Sequence, residues 1–236
     1  MKLKDQVAIV TGAGRGIGRA VALALAREGA DVALAAKTAS QIMAVAEEVQ
    51  ALGRQALAAP TDVAQKAQVE AMVSRTWHRF GRVDILVNNA GVAIHNPIPS
   101  IREEDWDLNM AVNLKGVFLC TQAVFSRMCA QGHGHIVNVA STAGKRGPAN
   151  FGAYSASKFG VVGFSEVTAA EGRPHGVKAS VVCPGPVDTV MRRENHPGDV
   201  QANLSQPEDI AEAIVFLVTQ SPRAHTLEVV VQTPLM

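Results

Sequence analysis

Thr11-Gly12-Ala13-Gly14-Arg15-Gly16-Ile17-Gly18 follows the β-branched run Val7 to Thr11 and leads into Ile17 to Arg27, whose apolar residues recur at helical spacing before Gly29. The order is strand, glycine-rich loop, helix. Glycines let the backbone turn tightly and approach a ligand, and the free N–H groups at the positive end of a helix attract a pyrophosphate. A tight turn that needs glycine only for its backbone would have the same composition. The strand before this one and the helix after it favour a dinucleotide site.

Outward from the loop, short apolar runs alternate with longer helical patterns, the order expected when crossover helices join parallel strands. Strands are expected at Val32 to Ala36, Gln55 to Ala59, Ile85 to Asn88, His135 to Ala140, Ala179 to Val182 and Leu227 to Val231. Helices are expected near Gln41 to Leu52, Gln65 to Phe80, Trp106 to Ala130 and Tyr154 to Ala170. The pattern predicts a single α/β domain over residues 1–236: a Rossmann fold, doubly wound, with a seven-stranded parallel sheet and helices on both faces. From Pro184 to Pro207 the chain is polar and carries Pro186, Pro197 and Gly198, too irregular for an element, so residues 186–206 are expected to form a substrate lid.

Composition narrows the function. A chain that is 47% hydrophobic and 18% charged can bury a core of its own. With 22 Lys plus Arg against 21 Asp plus Glu, it has no broad basic field for nucleic acid or an anionic membrane, and a small-molecule substrate is expected. Cys120, Cys129 and Cys183 lack the spacing of a zinc site or a disulfide framework and read as buried, reduced thiols. His95, His133 and His135 form no cluster with ligand spacing, so no metal is expected and these read as solvated loop histidines. The first residues carry no signal-peptide pattern, and no uninterrupted apolar run has membrane length, so a cytoplasmic protein is expected.

The second strand selects between cofactors. NAD-binding folds usually end it with Asp or Glu, which accepts hydrogen bonds from the adenosine ribose. Here Ala36 and Lys37 stand instead. Without that carboxylate, Lys37 and Arg15 can bracket a 2′-phosphate through charge-assisted hydrogen bonds, and NADP(H) is the predicted cofactor.

Beyond the loop, the chain resembles the short-chain dehydrogenase/reductase family over nearly its full length. The resemblance is carried by Thr11 to Gly18, Asp62-Val63, Asn88-Asn89-Ala90-Gly91, Asn113, Ser141, Tyr154 to Lys158 and Pro184-Gly185. It implies that Gly12, Gly14, Arg15, Gly16, Ile17 and Gly18 wrap the cofactor phosphates, that Asp62 and Val63 border its adenine, and that Asn89, Ala90 and Gly91 line it. It also implies that Val187 and Thr189, after the Pro184-Gly185 turn, hold the nicotinamide amide, with Tyr154 and Lys158 beside it. A homo-oligomer, dimer or tetramer, follows from the same resemblance, with Trp106, Val112, Phe159 and Phe164 in core or subunit contacts.

Residue types argue the chemistry independently. Hydride transfer to a carbonyl needs orientation and a proton for the oxygen. Tyr154 and Lys158 stand at i and i+4, on one helix face, where an ammonium stabilises a phenolate. Moving a tyrosine from its usual pKa of about 10 to near 7 takes roughly 4 kcal/mol, which Lys158 and the oxidised nicotinamide can share. Ser141 ends a strand at the carboxyl edge, where open α/β sheets bind ligands. In the family, the matching serine polarises the substrate oxygen, the tyrosine is acid or base, and the asparagine matching Asn113 holds a water that links the lysine to solvent. The predicted function is NADP(H)-dependent interconversion of a carbonyl and a secondary alcohol, with Asn113, Ser141, Tyr154 and Lys158 as the catalytic set.

The substrate is open between a 3-oxoacyl thioester and a small carbonyl compound or hydroxy acid. The chain looks most like bacterial 3-oxoacyl carrier-protein reductases and related carbonyl reductases. Gly132 and His175 stand where the carrier-protein enzymes have basic docking residues, and Thr226 to Val231 departs from their glycine-rich ending. Arg192 and Arg193 in the lid read as solvent-facing, with contact to a substrate carboxylate or phosphate as the other reading. Cys183 is assigned no role. Two further functions fit the fold: a dinucleotide-sensing protein without turnover, and a lyase or epimerase with tightly held nicotinamide.

Overall fold

A parallel strand covered on both faces has no polar side to present, and β1 (Val7–Thr11) and β4 (Ile85–Asn88) are buried at every position. The chain is described by a computed structural model over residues 1–233, so the last three residues of the expected domain lie outside the described residues. Around those strands lie β2 (Asp31–Ala36), β3 (Ala56–Pro60), β5 (Gly134–Val139), β6 (Val177–Pro184) and β7 (Glu228–Val231). All seven are parallel, in the order β3-β2-β1-β4-β5-β6-β7. Ala8 of β1 sits between Val32 on one side and Ile85 on the other. The strand order therefore reverses between β1 and β4, and a crevice opens beyond their carboxyl ends.

Period-two alternation sends neighbouring strand residues to opposite faces. Val10, Leu34, Val137 and Val182 pack with α1 (Gly16–Arg27), α2 (Ala39–Ala51) and α8 (Pro207–Val218). Ile9, Leu86 and Ile136 face the other way, onto α3 (Lys66–Phe80) and α5 (Gly116–Gln131). Val181 and Cys183 pack on Val161 and Val162 of α6 (Gly152–Gly172). At the amino end of β4, the buried Asp84 carboxylate accepts the Val7 N–H at 2.8 Å and also bonds Arg82 and His133.

Several expectations need correction. The segment expected to be without an element contains a short helix, α7 (Val190–Asn195), started by the Thr189 hydroxyl accepting from the Arg192 N–H, and a 3-10 turn at Gln201–Asn203. The helix α8 was absent from the expected set. The long helix expected from Trp106 to Ala130 is present, running unbroken through α4 (Glu103–Met110), a π-helical stretch Ala111–Lys115, and α5, and the widening at its middle was not expected. By length and composition alone residues 103–131 would reach across a membrane, but Lys115 and Arg127 interrupt the apolar run and 44% of the qualifying window is buried inside the fold. Of the cysteines, Cys120 and Cys183 are buried and Cys129 is half-buried; all three are free thiols.

Of the histidines, His133 is an exposed loop residue, as expected, and His135 is not. His135 lies buried in β5, bonded to the Ser180 hydroxyl at 2.8 Å, with its pKa lowered to about 3 chiefly by burial. His133 bonds Asp84 at 2.8 Å. His95 is half-buried in the site described next. Among the described residues, no group of three potential metal ligands converges.

Candidate active site

The crevice is a cavity of about 680 Å³, and most of the predicted site residues line it. From the first loop come Gly12, Gly14, Arg15, Gly16 and Ile17; from β2 and β3, Lys37, Asp62 and Val63; and from the β4 loop, Asn89, Ala90 and Gly91. Ser141, Tyr154, Lys158, Pro184, Gly185, Val187 and Thr189 complete the predicted set on its walls. Gly18 and Asn113 do not reach the cavity surface. They stand behind it and shape it.

At Gly18 an added Cβ would lie 2.2 Å from the Gly12 carbonyl oxygen, so α1 presses directly on the loop. Gly12 itself has φ +65°, and a Cβ there would lie 2.9 Å from the Ala90 Cα. Asn89 stitches the two loops together, donating its side-chain amide to the Thr11 carbonyl at 3.0 Å and the Gly12 carbonyl at 3.3 Å. The Thr11 hydroxyl accepts the Asn89 and Ala90 N–H groups, each at 3.0 Å. The expected glycine-rich cradle is therefore present, held by residues of a strand far away in sequence.

Lys37 is not free, as the reading of β2 assumed. Its ammonium pairs with Asp62 at 3.3 Å, although the lysine side chain is 74% exposed. Asp62 also caps its own turn by accepting the Ala64 N–H at 3.0 Å. Arg15 is exposed, with no partner among the described residues.

Tyr154 is the third residue of α6, in its first turn, and Lys158 follows on the same face, its Nζ 5.7 Å from the Tyr154 ring centre. The Tyr154 and Ser141 side chains both line the cavity. Burial holds the Tyr154 phenol above its usual pKa, and the nearby Ser141 hydroxyl pulls the other way. Lys158 is buried, donates to the Val139 carbonyl at 2.9 Å, and is lowered by that burial to about 8. Without cofactor, then, burial holds the phenol neutral, whereas Lys158 keeps its positive charge below about pH 8.

Ser141 follows β5 and starts a 3-10 turn, its hydroxyl accepting the Ala143 N–H at 3.1 Å. Asn113 sits in the π-helical stretch, a local widening often found where a helix serves a site. Its amide clamps the β4 loop: Oδ1 accepts the Val92 N–H at 2.8 Å and Nδ2 donates to the Val92 carbonyl at 2.9 Å. Nδ2 also reaches Ser157 Oγ at 3.1 Å, which ties that loop to α6. Cys183 is buried near the Ser141 backbone, and burial pushes its thiol up to about 11, so it stands as a neutral packing residue.

The rest of the cavity was not read from the sequence. Phe151 stacks on His95, ring centres 3.7 Å apart, and His95 meets the edge of Tyr154 at 5.4 Å. His196, at the end of α7, stands 5.6 Å from His95. Arg192 lines the same wall and is paired with Asp199, whereas Arg193 is an exposed partner of Asp188. The two lid arginines therefore divide, one toward the cavity and one toward solvent.

The chain is similar to known proteins over most of its length. The family model described as short chain dehydrogenase matches residues 6–199. A hydroxy(phenyl)methylsuccinyl-CoA dehydrogenase subunit of Thauera aromatica is 40% identical over 92% of this chain and 90% of its own. A 3-oxoacyl-acyl-carrier-protein reductase of Synechocystis is 39% identical over 94% of this chain and 93% of its own. The crystal structure of a metagenomic short-chain oxidoreductase in complex with NADP superposes with a TM-score of 0.87, at 36% identity and over the full length of both chains. With the family matched across most of its length and the fold in agreement, the chain belongs to the short-chain dehydrogenase family.

Proposed function

We propose that the protein is an NADP(H)-dependent oxidoreductase that interconverts a carbonyl and a secondary alcohol. The observation that carries the reading is the meeting of Tyr154, Ser141 and Lys158 on one wall of a cavity whose far end is the glycine loop. The cradle fits a dinucleotide because Gly12 and Gly18 leave no room for side chains where the backbone turns around it. Unpartnered Arg15 and exposed Lys37 suit a 2′-phosphate, with Asp62 giving up its pairing to Lys37 when the phosphate arrives.

The bound cofactor supplies or accepts the hydride. Tyr154, kept protonated by burial, donates a proton to the carbonyl oxygen during reduction and takes it back in the reverse direction. Ser141 orients that oxygen. Lys158 supplies positive charge beside the phenol, and Asn113 holds the β4 loop against α6 so that the wall stays closed. Asp62, Val63, Asn89, Ala90, Gly91, Pro184, Gly185, Val187 and Thr189 form the walls of the cofactor groove. The three free thiols accord with the reducing cytoplasm, and the exposed apolar residues of α4 to α6 accord with a homo-oligomer.

A screen of NADPH oxidation across 3-oxoacyl thioesters, β-keto esters, quinones, sugars and steroid ketones tests the reading. Activity is expected on at least one class, with Tyr154→Phe lowering kcat by 100-fold or more while NADPH binding persists. Binding of NADPH without turnover of any carbonyl would instead make the protein a dinucleotide-sensing one.

A further inference from the structure

A buried imidazole nitrogen without a hydrogen-bond partner forfeits the interaction it had with water, a loss of a size that folded proteins seldom leave uncompensated. Two such atoms stand together here: Nε2 of His95 and Nε2 of His196. Both side chains line the cavity beside Tyr154. They come from different elements, the loop after β4 and the end of α7, so no local turn geometry accounts for their meeting. Phe151 fixes both rings, stacked at 3.7 Å on His95 and with its centre 6.0 Å from that of His196.

The charges that act on them are Arg192 and, on His196, the Asp199 carboxylate paired with that arginine. Arg192 lines the same wall, and its influence on both imidazoles is to disfavour their protonation. Each neutral imidazole keeps one N–H to donate, and Arg192 places a cation beside them. Donors plus a cation, with no carboxylate other than Asp199 paired to that cation, complement an anionic oxygen acceptor. The short separation of His95 from Tyr154 limits how far such an acceptor can lie from the reacting carbonyl.

We propose that His95, His196 and Arg192 form a carboxylate subsite, and that the substrate is a short oxo acid or hydroxy acid whose free carboxylate lies within a few bonds of the reacting carbon. This rests on the reading of the cavity as a carbonyl–alcohol redox site. It separates the two substrate classes left open by the sequence where the thioester is that of a plain 3-oxo fatty acid, whose one carboxyl group is taken up in the thioester.

The test is calorimetric titration of NADP⁺-loaded protein with acetoacetate and, separately, with methyl acetoacetate. Neither can accept a hydride from the oxidised cofactor, so binding is measured without turnover. Acetoacetate is expected to bind at least tenfold more tightly than its ester. In His95→Phe and in His196→Phe, both of which keep an aromatic ring against Phe151, that ratio is expected to fall toward one, and Arg192→Met should reduce it as well. Thermal melting and NADP⁺ affinity confirm that each variant is folded. Equal affinity for acid and ester in the wild type, or a ratio unchanged in both histidine variants, overturns the proposal. Failure of the oxidoreductase reading is seen separately, as the absence of NADPH oxidation with every carbonyl.

Discussion

Tyr154 is the only tyrosine in the chain, so phenolate absorbance reports this site alone. Burial sets its resting state above the usual pKa of about 10 in the cofactor-free protein. Its partner moves the opposite way: Lys158 is lowered to about 8. Between that value and the 10.5 of an unfolded lysine, the folded state binds fewer protons than the unfolded state, so this group makes stability rise with pH through the window. Below pH 8 both states carry the proton, and the buried ammonium opposes folding by roughly 3 kcal/mol. Denaturant unfolding from pH 7 to 10.5 should show that rise in the wild type and lose it in Lys158→Met. Parallel curves for the two proteins would contradict the assignment. Upon NADP⁺ binding the added positive charge should draw the Tyr154 titration downward, which absorbance can follow.

At the scale of elements, the sheet is anchored at its amino edge by one carboxylate. Asp84 receives the Val7 N–H, the Arg82 guanidinium and His133. Arg82 and His133 are each about half exposed and can return to water when the carboxylate is removed. The Val7 N–H lies buried and cannot. Asp84→Ala is therefore expected to destabilise the protein by about 2 kcal/mol, most of it from that one donor, read as a lower denaturant midpoint with an unchanged slope. A loss below about 0.5 kcal/mol would show that water reaches Val7. The helix α8 illustrates a pattern that was legible and passed over: Gln206 and Asp209 form a capping box, Pro207 stands at the first turn, and Ile210, Ala211, Ile214 and Leu217 repeat on one face. The π-helical stretch around Asn113 has no such marker, because its widening depends on the Asn113 bonds to Val92 and Ser157.

Across the whole molecule, α4, α5 and α6 expose several large apolar side chains among their charged ones. Trp106, Phe118, Phe159 and Val167 are all substantially exposed, and Phe118 meets Phe164 at 6.2 Å, which joins α5 to α6. Such a patch is larger than scattered surface hydrophobes and suits a self-complementary interface. Analytical ultracentrifugation should find dimers or tetramers, and Phe159→Lys combined with Val167→Glu should shift the protein toward monomers. A wild-type monomer at micromolar concentration would remove the oligomer from the account.

The sequence by itself determined the alternation of strands and helices, the glycine loop and the Tyr154–Lys158 pair. Each is set by neighbours a few residues apart, through the periods of strand and helix and the steric freedom of glycine. Only the tertiary structure decided that Lys37 pairs with Asp62, that His135 is buried on Ser180, and that His95 and His196 converge beside Tyr154. A lone histidine in a sequence carries no sign of its burial. That property, and with it the donors facing a substrate, arises only when the β4 loop, α6 and α7 are brought to one edge of the sheet and water is excluded between them.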